Sequence, residues 1–147
     1  MDYKDIGILV TFLLGLGNII YNLYISRRTT FINSVTAERV KWLSDVRGNI
    51  SSFAGLTHHW VQSDLKDTDK SPEILKEIDR LRYLIMLQLN PKGKFEHEII
   101  ELIGIIPNIV LDPERKKLWS AMDQLVSNTQ SLLKEEWEKV KREAGRL

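Results

Sequence analysis

His58, His59 and His97 are the residues best suited by type to act as acid, base or metal ligand. Neighbouring residues on a helix diverge by about 100°, so His58 and His59 cannot serve one metal or one substrate. His97 stands in Phe95-Glu96-His97-Glu98, with Glu101 one turn on. A histidine and a carboxylate at that spacing can seed a metal site. Di-metal bundle proteins, however, repeat the pair on a second helix, and no second pair is present. The stretch reads as a solvated, charge-rich helix face. Serines are scattered, without a nucleophile elbow or a Ser–Lys motif. Gly15-Leu-Gly17 lies inside an apolar run and makes no phosphate loop. The chain has no cysteine, which removes thiol nucleophiles, disulfides and thiolate zinc sites together. Arg39, Arg47, Arg80 and Arg82 have no histidine four to six residues later, so the spacing of helical ribonuclease folds is missing. The expectation is a protein that is not an enzyme and needs no cofactor or metal. A net charge of +1 offers no broad basic surface, and no nucleic-acid partner is expected.

The elements that would hold any chemistry begin with a membrane segment. Residues 6–25, IGILVTFLLGLGNIIYNLYI, carry no charge. At 1.5 Å per residue they span about 30 Å, the thickness of a hydrocarbon core. Tyr3, Tyr21 and Tyr24 stand where aromatic belts occur. Arg27 and Arg28 follow at once, with Arg39 and Lys41 beyond, whereas the N-terminal flank has only Lys4 between Asp2 and Asp5. The positive-inside rule predicts residues 1–5 outside and residues 26–147 in the cytoplasm, in a plasma (inner bacterial) membrane. A cleaved signal peptide would need a basic start, a shorter apolar run and a small-residue cleavage site. This chain shows none of the three.

One face of this segment is unlike lipid. Thr11, Gly15, Asn18 and Asn22 recur at intervals of four, three and four, which places them on a single helical seam. Gly7 and Ser26 extend it by four residues at either end. Small residues let two helix backbones approach, and an asparagine amide in hydrocarbon needs partners. The seam predicts self-association. It bears no ionisable group, so a water-lined pore is the weaker form of the same idea.

Residues 26–147 show helical periodicity and no strand signal. Phe31, Val35, Trp42, Val46, Ile50, Phe53, Thr57 and Trp60 or Val61 mark a first helix over about residues 29–65. It either continues out of the membrane helix or breaks near Ser26–Thr30. A polar stretch, Gln62 to Lys70, reads as a loop. Ser71-Pro72-Glu73 is a hydroxyl cap, a proline at the first position and an acid, starting a helix over 71–90. A third helix, 94–106, stops at Pro107. Asp112-Pro113-Glu114 repeats the cap and starts a helix over 112–144, with Leu118, Met122, Leu125, Thr129, Leu132 and Trp137 inward and Glu135–Lys139 and Glu138–Arg142 pairs outside. Trp42 and Trp137 fit core seams, while Trp60 and Trp119 sit beside them, either exposed or as paired core aromatics. The apolar tract Ile99–Leu111 is too short to cross a bilayer and reads as core, or else as an exposed patch for a partner or the membrane surface. The expected fold is all-α: one N-terminal transmembrane helix followed by a four-helix cytoplasmic bundle.

Residues 31–47, FINSVTAERVKWLSDVR, following a membrane helix, and residues 133–143, LKEEWEKVKRE, closing the domain, carry a resemblance. Together they are similar to a family of small, uncharacterised bacterial and prophage single-pass membrane proteins with a helical cytoplasmic domain. The resemblance covers most of the chain and implies no activity or site residues; it points toward phage-related and defence settings.

The function expected is that of a non-enzymatic membrane effector or regulatory subunit. Its partners would be the lipid bilayer, further copies of itself, and a protein bound through the helical domain. In this reading Thr11, Gly15, Asn18 and Asn22 form the oligomer contact, and Arg27 and Arg28 fix topology. The alternatives are a channel or holin-like permeabilising protein, and a helical enzyme or ligand-binding module.

Overall fold

A computed structural model describes residues 3–111 and 115–144. They form four helices, α1 (Tyr3–Gln62), α2 (Ser71–Gln88), α3 (Lys94–Ile109) and α4 (Arg115–Ala144), with a single 3-10 turn at Leu65–Asp67. No strand occurs among the described residues. The chain divides into two compact units, residues 1–39 with 140–147, and residues 40–139.

Helix α1 runs without interruption through Ser26–Thr30. No proline occurs before Pro72, and two threonines cost only a few tenths of a kcal/mol each as helix residues, too little to break a helix. The helix expected over about residues 29–65 is therefore a continuation of the apolar segment and not a separate element.

Within residues 40–139 all four helices contribute to one core. α1 supplies Val46, Ile50, Phe53, Trp60 and Val61, and α2 supplies Ile78, Leu81 and Ile85. α3 adds Ile99, Leu102, Ile103 and Ile106, and α4 adds Leu118, Met122, Leu125 and Leu132. The buried positions of α1, Leu43, Val46, Ile50, Phe53, Thr57 and Trp60, alternate by three and four, the spacing that keeps one seam facing its neighbours. Buried Thr57 and Thr129 donate their hydroxyls to the Phe53 and Leu125 carbonyls, so neither is left unpaired.

Several details depart from the sequence reading, each for a local reason. Of the two tryptophans beside the seams, Trp60 takes a core place, because the alternation of three and four on α1 carries through it. Its indole N–H donates to the Ser71 hydroxyl at 3.0 Å. That bond draws Ser71 into the first turn of α2. The cap position falls to Lys70, which makes no side-chain cap bond, so Ser71 does not act as the hydroxyl cap. Trp119 is half-buried, its ring against His58. Trp42 is half-buried, its N–H donating to the Gln88 carbonyl, and Leu43 takes the fully buried place. α3 does not stop at Pro107 but runs to Ile109. Pro107 removes one N–H and crowds the Ile103 carbonyl, yet the helix continues past it. The Val110 N–H bonds the Ile106 carbonyl beyond it, while buried Ile103 and Ile106 hold the turn. The Asp112-Pro113-Glu114 start lies outside the described residues.

Trp137 is also not inward: it is 45 % exposed. The α4 seam 118–122–125–129–132 continues to residue 136, and Trp137 lies about 100° round from it. Glu136 occupies that place with its side chain 14 % exposed, its carboxylate 2.6 Å from Lys139 Nζ; Glu135 lies 2.9 Å away on the same amine. Hydrogen bonds to Glu136 and then Glu135 raise the Lys139 pKa above the ordinary lysine value. A raised pKa means the stabilisation is complete below the unfolded lysine value and is lost as pH rises through the folded one. Lys139→Met is expected to cost less than about 1 kcal/mol at neutral pH, the pair being partly solvent-screened. The cost should vanish at strongly alkaline pH, when urea midpoints of the two proteins are compared.

Candidate functional site

The first unit carries the apolar segment. α1 is long and apolar enough to cross a membrane, and none of its most apolar window is buried. Every residue from Tyr3 to Arg28 is exposed, including large side chains such as Phe12, Leu14, Ile19 and Ile20. A soluble core helix would hide such a face; this one is covered by nothing else among the described residues.

On this surface the seam residues fall on one stripe, because α1 is unbroken through all of them. Thr11 donates its hydroxyl to the Gly7 carbonyl at 2.9 Å, one turn back, which satisfies it inside its own helix. Asn22 Nδ2 donates to Asn18 Oδ1 at 3.2 Å. A carboxamide offers two N–H donors and a carbonyl acceptor, so this bond uses one donor of Asn22 and one acceptor position of Asn18. Both N–H groups of Asn18, one of Asn22 and the Asn22 carbonyl remain available on an exposed surface. At Gly7 and Gly15 a Cβ would meet no atom within 4 Å, so bare backbone is presented there. Lys4, Gly7, Ile8, Thr11 and Phe12 line a shallow, open depression at the start of the stripe. Arg27 and Arg28 follow, both exposed.

The structure thus gathers Gly7, Thr11, Gly15, Asn18 and Asn22 on one uncovered face, with hydrogen-bonding capacity concentrated in its second half. The sequence alone could not tell that the two asparagines bond each other. Their spacing of four was the available signal.

Reading the sequence also missed an ion pair in the same unit. Arg39 and Glu143 meet at 2.7 Å across 104 positions, bringing the last turn of α4 against α1. Arg28, Phe31, Ile32, Val35, Arg39 and Glu143 line an open groove of about 280 Å³ there. Phe31 is 70 % exposed.

The histidines come together with little. His97 Nε2 lies 3.4 Å from Glu101 on an exposed face. His59 Nδ1 is 3.2 Å from the Ser63 hydroxyl, while His58 packs on Trp119 with ring centroids 5.1 Å apart. No cluster of three or more histidine or carboxylate groups able to hold a metal occurs among the described residues. The other perturbed ionisations belong to a surface pair on α2, where the hydrogen bond and charge of Arg80 lower the Glu77 pKa and Glu77 in turn raises that of Arg80. Solvent screens such a pair, and it marks no site. No protein-family model, curated protein or solved structure matches the chain.

Proposed function

We propose that this chain is a non-enzymatic membrane protein that self-associates through the Thr11–Gly15–Asn18–Asn22 face of α1. We read its function as that of a membrane effector or regulatory subunit. In this reading residues 6–25 cross the bilayer once. Arg27, Arg28, Arg39 and Lys41 hold residues 26–147, a four-helix bundle, on the cytoplasmic side, where the bundle binds a protein partner. The resemblance to small prophage-type membrane proteins supports a setting of phage–host conflict.

The observation that carries the proposal is the stripe of bare backbone and incompletely paired amides on a helix face that no other described residue covers. In hydrocarbon no water completes those amides, and a second copy of the same face offers matching donors and acceptors. Close packing at the glycines and hydrogen bonds at the asparagines then act over one contact.

Asn18→Leu with Asn22→Leu tests this on the full-length protein in detergent. Interhelical hydrogen bonds in membranes average about 0.6 kcal/mol. Losing two to four of them raises the dissociation constant by roughly tenfold or more. The mass of the complex, measured by light scattering across a dilution series, should shift toward monomer. An unchanged assembly would rule out the seam as the contact. Ion flux through liposomes holding the assembled wild type would move the reading to a channel, and a non-conducting assembly keeps it an anchor.

A further inference from the structure

The groove below the apolar segment has a chemistry that self-association does not use. Tyr21, Tyr24, Arg28, Phe31 and Val35 recur at intervals of three, four, three and four, so they share one face of α1. That face is centred roughly 130° round the helix from the polar seam, and both can be occupied at once. By helix rise Tyr24 lies within about 2 Å of the end of the apolar run, Arg28 about 4.5 Å beyond it and Phe31 about 9 Å beyond it. Headgroups occupy roughly 5–7 Å outside each side of the hydrocarbon. A tyrosine at the edge of the hydrocarbon and a guanidinium within the headgroup layer are thus followed by an exposed phenyl ring at its outer margin. Arg39 has its charge answered by Glu143 at 2.7 Å, whereas among the described residues no carboxylate pairs with Arg28. The wall contributed by α4 ends in a last turn that also holds Lys141 and Arg142.

We propose that the upper end of this groove seats the headgroup of an anionic phospholipid of the adjoining leaflet, its phosphate on Arg28 and the outermost headgroup atoms reaching toward Phe31. The proposal rests on the reading that residues 6–25 span the bilayer. Charge complementarity selects an anionic lipid, since the groove cation that no described carboxylate answers is at phosphate depth. A lipid is favoured over a soluble phosphate because its acyl chains stay in the hydrocarbon while its phosphate is held at the depth of Arg28.

The test uses full-length protein in detergent micelles supplied with phosphatidylglycerol or phosphatidylcholine, the lipids retained being counted by native mass spectrometry. The wild type should retain phosphatidylglycerol about fivefold over phosphatidylcholine, the worth of one guanidinium at an anionic surface. Arg28→Gln should bring that ratio to about one, with helix content by circular dichroism unchanged. Arg47→Gln, in the other unit, should leave it intact. Equal retention of both lipids by the wild type, an undiminished ratio in Arg28→Gln, or displacement of the lipid by soluble glycerol phosphate each overturns the proposal. Extraction of the full-length protein from membranes by alkaline carbonate separates the two failures. A released protein overturns the span and the groove with it; a retained protein without lipid preference overturns the groove alone.

Discussion

Phe53→Ala is expected to destabilise the unit of residues 40–139 by about 3–5 kcal/mol. Phe53 is 0 % exposed and stands in the middle of the α1 seam, within the cluster that all four helices build. Truncation to alanine removes most of its apolar surface and leaves a cavity that neighbours such as Ile50 and Thr57, fixed on the same helix, can only partly refill. A domain of about 100 residues has roughly 5–15 kcal/mol in total, so the substitution consumes about a fifth of it or more. Urea unfolding followed by tryptophan fluorescence is a direct measure, because Trp60 is buried in the same cluster. Leu87→Ala is the matched control: Leu87 is 85 % exposed, and its loss should stay within about 0.5 kcal/mol. A Phe53→Ala protein as stable as Leu87→Ala would mean that the core is not centred where the structure puts it.

Gly15→Ile is expected to abolish assembly while leaving the single chain intact. A Cβ at Gly15 meets nothing within 4 Å, so the substitution meets no steric obstacle in the isolated helix. Any loss of assembly must therefore come from contact with another molecule, where a branched side chain holds the backbones apart. Gly17 provides the comparison. A Cβ there also meets nothing within 4 Å, but Gly17 lies about 200° round the helix from Gly15, off the seam. Gly17→Ile should assemble like the wild type, and Gly15→Ile should run as monomer at concentrations at least tenfold above the wild-type midpoint. Equal behaviour of the two variants would show that α1 has no preferred face.

The apolar segment and its polar stripe could be read from the sequence because both depend only on composition and helical spacing, which one unbroken helix preserves. The choice between a continuous and a broken helix at Ser26–Thr30 was not legible, since threonine propensities sit close to the balance point. Trp137 misled because size and apolarity suggested burial. The seam had already moved to residue 136, and an aliphatic stem with its carboxylate on Lys139 fills that position. Pro107 misled in the opposite direction. A proline stops an isolated helix more firmly than one whose next turn is held by buried isoleucines. Ser71 looked like a cap until Trp60, eleven residues earlier, took its hydroxyl. The Arg39–Glu143 pair had no local signal, because nothing in either segment's periodicity encodes a partner 104 positions away.

The Asn22–Asn18 bond bears on when assembly can happen, not only on how. Each amide partly satisfies the other within one helix, which lowers the cost of a lone chain residing in lipid. Assembly then gains only the difference between bonds already made and bonds newly made. For a chain that associates through this face, lone and assembled forms stand close in free energy, and crowding within the membrane plane decides between them. Such a protein would respond to its own abundance, mostly single when sparse and increasingly assembled as its density in the membrane rises, with no ligand or covalent change required.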